Sequence, residues 1–360
     1  MDEKKYHSII NFLRPFRDYL RSLNPLRFTR FDKYYFPPIS NKLILNKEVK
    51  EKICLFISSR NNYQMLEKEI LKNFRLDGFL VINIDDNSDH NQVVYGKKIC
   101  KKNNIIFLKN RSSGLQFALK TCVEFLNKNE FKHNYILHIT HDNYPISLDF
   151  FISVLKIINN KKIDFGLLGF NCFDYRLCRK DLLNLRNNKK SIGLLGRSIL
   201  TNELNFITRK WYTSSNSYHF ELDKLIAVEC PTDTCFVINK INFEKYISVT
   251  NKIRLHNWAD DIALQFLNNN IFNYSCPYIK TFNANEIKQK YGIPIWSTRD
   301  KTSKHHSGIN EALNYWKRKW GWERNSYPTK ELVKKKYKNT LIEEFSFYNP
   351  NKGPYKYVKN

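Results

Sequence analysis

Short apolar runs and amphipathic stretches alternate between residue 49 and about residue 170, and this alternation predicts a β-α-β-α-β unit. ICLFISS (53–59) is a compact apolar run closed by turn residues, the pattern of a buried strand. Residues 62–74 carry Met65, Leu66, Ile70 and Leu71 at helical spacing. FLVINID (79–85) is a second strand, residues 91–103 a short helix, and NIIFLK (104–109) a third strand. GLQFALKTCVEFL (114–126) reads as a strongly apolar helix and YILHIT (135–140) as a fourth strand. Strands alternating with helices of this length predict a parallel sheet with right-handed crossovers.

Around this unit the pattern changes. Residues 1–48 form a basic extension in which Ile9, Leu13, Phe16, Leu20 and Leu23 recur at helical spacing. Arg14, Arg17 and Arg21 are interleaved with them, and Pro15 interrupts the run. Such a segment suits an anionic membrane surface, its own domain or a second subunit equally well. It has no continuous apolar core, so it is not read as a signal peptide. No run of about 18 apolar residues occurs, so no membrane-spanning helix is expected. The expected organisation is an N-terminal extension (1–48), a catalytic domain (49–300) and a basic, partly helical C-terminal region (301–360). Within the catalytic domain, residues 49–150 form a nucleotide-binding half and residues 151–300 an acceptor half.

Charge and cysteine content narrow the classes. Lys and Arg number 60 against 34 Asp and Glu, a net charge of +26 that implies an anionic partner. Nucleic acid, an anionic membrane and phosphorylated substrates all satisfy it. The eight cysteines include no CxxC pair, which argues against a structural zinc site and for reduced, buried thiols in a cytoplasmic protein.

In parallel sheets ligands bind beyond the carboxyl ends of the strands, so polar residues should cluster there. Strand one runs into Ser58-Ser59-Arg60-Asn61-Asn62, and strand two into Asp85-Asp86-Asn87-Ser88-Asp89. Strand three ends at Lys109-Asn110-Arg111-Ser112-Ser113-Gly114, and strand four at His141-Asp142-Asn143-Tyr144-Pro145. One such loop is adequately explained as a helix cap or Asx turn. Four on one edge favour a site.

The order strand-SxRN, strand-IDDNSD, NxxxG-helix and strand-xDN-Pro resembles glycosyltransferases of the GT-A fold, in the broad family-2-like group. The resemblance covers residues 50–150 well and the remainder more loosely. It implies an α/β, Rossmann-like, mostly parallel sheet flanked by helices. It also implies a nucleotide-sugar donor, with a UDP-sugar favoured, and a glycan or lipid-linked acceptor. By this resemblance Ser59 and Arg60 border the nucleotide base, and Asp86, beside Asp85, meets the base edge or ribose. The segment from Arg111 to Gly114 lies against the nucleotide. His141-Asp142-Asn143 occupies the place of a DxD-type motif, where Asp142 meets the ribose and a divalent metal, Mn²⁺ or Mg²⁺, on the diphosphate. This sequence departs from the motif in having His141 and Asn143 around a single carboxylate. A C-terminal histidine, His306, is the second candidate metal ligand, with Lys301, Lys304 and His305 beside it.

On the acceptor side, His256-Asn257-Trp258-Ala259-Asp260-Asp261 precedes a helical apolar pattern and resembles the W-x-(E/D)-D segment of these enzymes. A sugar hydroxyl is a poor nucleophile, so a positioned base matters. The resemblance implies an inverting transfer with Asp261, or else Asp260, as that base. An N-terminal helix cap is the alternative. Asp233, in ECPTDTC before the run CFVINK, is a further sugar-binding candidate. The spacing of Trp316, Trp320 and Trp322 favours a helix face packed on the core over a sugar-stacking platform.

Two other classes explain less. A nucleotidyltransferase would call for several clustered carboxylates or a Gly-rich phosphate loop, and Gly is scarce at 11 residues. A non-catalytic nucleic-acid- or membrane-binding module accounts for the charge but not for Asp85-Asp86 and Asp260-Asp261 at element ends. The favoured location is the cytoplasm, with peripheral contact at an anionic membrane surface and no nucleic-acid partner.

Overall fold

A computed structural model describes residues 47–74, 76–141, 143–146, 150–160, 163–174, 194–197, 199, 211–213, 225–253, 257–283, 309–323 and 357–358. The predicted N-terminal amphipathic segment and the basic loop around His306 lie outside these residues. The first half is the expected unit. A short helix α1 (Lys47–Lys52) leads into β1 (Ile53–Ser59), every residue of which is buried. Three helical pieces, Tyr63–Met65, Leu66–Ile70 and Leu71–Asn73, follow as α2, the middle one a π-helix. Then come β2 (Val81–Asp85), α3 (His90–Lys102), β3 (Ile106–Lys109), α4 (Leu115–Lys128) and β4 (Tyr135–Thr140). β1 pairs in parallel with β2 and β4, and β2 with β3, so the four following loops open on one edge. β2 and β3 begin two residues later than the apolar pattern suggested, because the residues before them belong to turns.

The second half extends the same sheet. After β5 (Asn143–Pro145) and α5 (Phe150–Asn159) come β6 (Leu167–Asp174), β7 (Leu194–Arg197), β8 (Trp211–Thr213), β9 (Leu225–Val228) and β10 (Cys230–Pro231). Next are β11 (Cys235–Asn239), α6 (Lys240–Tyr246), α7 (Trp258–Asn268), β12 (Asn273–Asn283), α8 (Ile309–Trp320) and β13 (Tyr357–Val358). The strand order is β13-β9-β12-β6-β11-β4-β1-β2-β3. β11 lies between β4 and β6 and runs antiparallel to both, while β12 is parallel to β6. The fold is thus α/β of the GT-A, Rossmann-like kind, with a wholly parallel first half and antiparallel strands confined to the second.

Aromatic packing joins the halves. On β4, the fully buried His138 ring sits 5.0 Å from Phe56, 5.0 Å from Phe236 of β11 and 5.4 Å from Trp258, the first residue of α7. Ser58 Oγ lies 3.0 Å from His138 Nε2, which supplies the polar partner a buried imidazole requires. Trp258 therefore seats the start of α7 against the central strands. Gly96 lets α3 approach α2, since a Cβ there would lie 2.5 Å from the Tyr63 ring. Cys54, Cys100, Cys122, Cys172, Cys230, Cys235 and Cys276 are all free and buried, as expected of reduced thiols; Cys178 is outside the described residues. No described helix is long and apolar enough to cross a membrane.

Candidate functional site

The loops after β1 and β2 are stitched together by side chains. Asp86 N–H donates to Ser59 O at 2.9 Å, continuing the ladder past the strand ends. Asn61, in a left-handed conformation (φ 50°), donates its backbone N–H to Ser88 Oγ at 3.0 Å. Its side chain exchanges hydrogen bonds with Asp89 at 3.0 and 2.7 Å. Below them runs a buried chain: Ser59 Oγ donates to Asn83 Oδ1 (2.6 Å), Asn83 Nδ2 to Tyr63 OH (3.3 Å), and Tyr63 OH to Asp85 Oδ2 (2.7 Å). Asp85 Oδ1 accepts from Ser88 N–H at 3.1 Å. Ser59 and Asp85 thus brace the loops from within. Burial, then the neighbouring Asp85, pushes the Tyr63 phenol well above its usual range, so it stays a donor.

Asp86 is held from the other side. Its Oδ1 accepts from Gly114 N–H (2.9 Å) and Asn110 Nδ2 (2.8 Å), and Asn110 Nδ2 also reaches Gly114 O (3.0 Å). Gly114 has φ 109°, which side-chain-bearing residues rarely adopt, and stands at the N-cap of α4. Asp86 therefore faces a helix N-terminus, where a negative charge is favoured. Burial nevertheless raises its pKa, overriding the lowering by Gly114 N–H, Asn110 and Arg60, with Asp85 adding to the rise. Arg60 is half-buried beside these acids; burial lowers its pKa, and Asp86, Asp89 and Asp85 oppose that.

A raised carboxyl pKa has a definite sign. The stability Asp86 contributes is complete below its unfolded value of 3.8 and is lost as pH rises through the higher folded value. From pH 3.8 upward, the melting temperature of wild type is expected to fall relative to Asp86→Asn. Parallel curves for the two proteins across that window would refute this.

Two residues past Gly114, Gln116 reaches the start of α7. Its Nε2 donates to Asp261 Oδ2 (3.0 Å) and Trp258 O (3.2 Å), and its Oε1 accepts from Thr250 N–H (3.0 Å). Asp260 and Asp261 are both fully buried in the first turn of α7. Asp261 also accepts from Gln265 Nε2 (2.9 Å), Lys319 Nζ (2.9 Å) and Trp320 Nε1 (2.8 Å). Trp316, Trp320 and Trp322 are buried with ring separations of 6.0–6.2 Å, so the core reading of these residues holds. Trp320 has in addition a polar role that its spacing did not reveal.

The other predicted residues divide. Arg111 is exposed and ion-paired to Glu124 at 2.6 Å, along α4. His141 is buried, with Nε2 2.6 Å from Asn62 Nδ2 and Nδ1 3.4 Å from Ser58 O. Asn143, fully buried, donates to Thr234 Oγ1 at 2.9 Å, and its Oδ1 has no hydrogen-bond partner among the described residues. Asp233 is half-buried in the turn between β10 and β11. Asp142 and His306 lie outside the described residues. Among the described residues no group of three or more His, Cys, Asp or Glu is placed to hold a metal ion. The sequence reading missed Tyr63, Asn83, Gln116, Lys319 and Trp320. Lys319 lies within the basic run WKRKW, where nothing local sets it apart from its neighbours.

No protein-family model matches the chain, and no curated protein does. Solved structures do. GalNAc-T7 with UDP, GalNAc and Mn²⁺ is 10% identical, with a TM-score of 0.44 over 64% of this chain and 43% of that one. The mannosyltransferase PcManGT from Pyrobaculum calidifontis, with GDP-Man and Mn²⁺, is 10% identical, with a TM-score of 0.45 over 88% of this chain and 75% of that one. TarS from S. aureus is 12% identical, with a TM-score of 0.39 over 76% of this chain and 44% of that one. The chain thus spans less than half the length of GalNAc-T7 and of TarS.

Proposed function

We propose that this chain is a glycosyltransferase that moves a sugar from a nucleotide-diphosphate donor, a UDP-sugar favoured, to a glycan or lipid-linked acceptor with inversion. The observation that supports this best is the meeting of donor-side and acceptor-side carboxylates across one short segment. Asn110 and Gly114 hold Asp86, and Gln116, two residues on, holds Asp261. A donor resting on the strand ends beside Asp86 and Arg60 would leave its sugar toward the first turn of α7. There a carboxylate of the Asp260–Asp261 pair takes the proton from the attacking hydroxyl as the bond to the diphosphate breaks.

A divalent ion, Mn²⁺ or Mg²⁺, would neutralise charge on the departing diphosphate. Asp142 and His306 are the residues proposed to hold it. His141 is engaged with Asn62 and Ser58, so the described residues do not by themselves form a metal cage. The net charge of +26 fits an anionic or membrane-associated acceptor at the cytoplasmic face, and the carboxylate pairs Asp85-Asp86 and Asp260-Asp261 argue against a nucleic-acid-binding module.

A thermal-shift panel of UDP, GDP, CMP and dTDP, with and without Mn²⁺, tests the reading. One nucleotide should raise Tm, by an amount equivalent to about 2.7 kcal/mol at a ligand concentration of 100 Kd. Asp142→Ala should lose only the metal-dependent part. No response to any of the four would overturn the proposal.

A further inference from the structure

Asp261 is a fully buried carboxylate with all its accepting capacity in use. An ionised carboxylate offers about four lone-pair sites on two oxygens. Here four side chains from three helices take them: Gln116 of α4, Gln265 of α7, and Lys319 and Trp320 of α8. Lys319 Nζ lies 2.9 Å from each oxygen, so it bridges the carboxylate. The same ammonium stands 5.0 Å from the Trp320 ring centroid and 5.8 Å from that of Tyr315, so α8's own aromatics hold it in place. A general base needs a lone pair that the substrate proton can reach, and Asp261 has none to offer. An ion pair satisfied this completely is what a buried charge requires for structural use.

Resting on the glycosyltransferase reading for its catalytic half, we propose that Asp261 is a positioning residue. It fastens helix α8 across the first turns of α4 and α7 and is not itself the catalytic base. The clamp fixes the helix turn that carries Asp260, and through Gln116 it ties that turn to the loop that holds Asp86.

Asp261→Asn places an amide NH₂ among donors, and Lys319→Met removes the bridging charge while keeping most of the stem. Backbone hydrogen exchange in the full chain reads the clamp without any substrate. Both variants should speed exchange across residues 309–323 by tenfold or more and leave residues 53–59 and 135–140 at wild-type protection. Unchanged exchange at 309–323 in Asp261→Asn would overturn the clamp. The catalytic half is read by turnover of UDP-glucose, UDP-GlcNAc and UDP-GalNAc against pH. Asp261→Asn should lower kcat by no more than about tenfold and keep the wild-type pH profile. A hundredfold loss of kcat in Asp261→Asn together with a changed pH profile would make Asp261 the base and overturn the assignment. If wild type turns over no donor, the glycosyltransferase reading fails, while the exchange result still decides the clamp.

Discussion

Trp316→Ala is expected to lower the unfolding free energy by about 3–5 kcal/mol, the usual range for removing a buried tryptophan. Trp316 is 0% exposed and lies 6.1 Å from Trp320 and 6.0 Å from Trp322. Truncation removes the wall against which Trp320 is packed, and Trp320 is one of the donors to Asp261. The void and a weakened polar anchor then act together, so the upper half of the range is expected. Urea unfolding followed by tryptophan fluorescence measures it, with Trp316→Phe as a smaller truncation costing roughly 1–3 kcal/mol. A loss below about 1 kcal/mol for the alanine variant would mean that α8 adds little to the fold.

Asp86→Ala should be nearly as damaging and should also abolish the nucleotide-induced rise in Tm. The substitution strands Gly114 N–H and the Asn110 amide, both buried against the carboxylate. Each buried donor left without its acceptor costs about 1–3 kcal/mol. Asp86→Asn keeps an oxygen toward Gly114 N–H and should retain most of the stability. Denaturant titration separates the two, and repeating it with UDP reads the binding effect. A fully stable Asp86→Ala would show that water replaces the carboxylate; a full UDP response in that variant would remove Asp86 from the donor site.

Legibility in the sequence followed the range of the interactions involved. β1 and β4 match their apolar runs residue for residue, and α7 begins at Trp258, because burial on both faces and a helix start are local patterns. Asp86 was legible because a strand end on a parallel sheet edge is itself predicted by the alternation. The order of the second half was not, since the partners of β11 lie about 100 residues before it and about 70 before it. The same holds for the site. Arg111 lies in the loop after β3 and Asp261 in the first turn of a helix, as the pattern predicts, but their partners, Glu124 and the pair Lys319–Trp320, are chosen by tertiary packing. No periodicity encodes such a pairing.

The seat of β11 between β4 and β6 bears on how the chain is made. During synthesis β1 to β4 emerge as a parallel unit whose β4 edge stays open until residue 239 has appeared. At about 5–20 residues per second, the roughly 100 residues between them take on the order of 5–20 s. Through that interval an apolar strand with unpaired backbone groups is exposed to other nascent chains. A fragment ending near residue 150 would keep that edge permanently. It is therefore expected to be captured by chaperones or to aggregate, and the first half of the sheet matures only as part of the longer one.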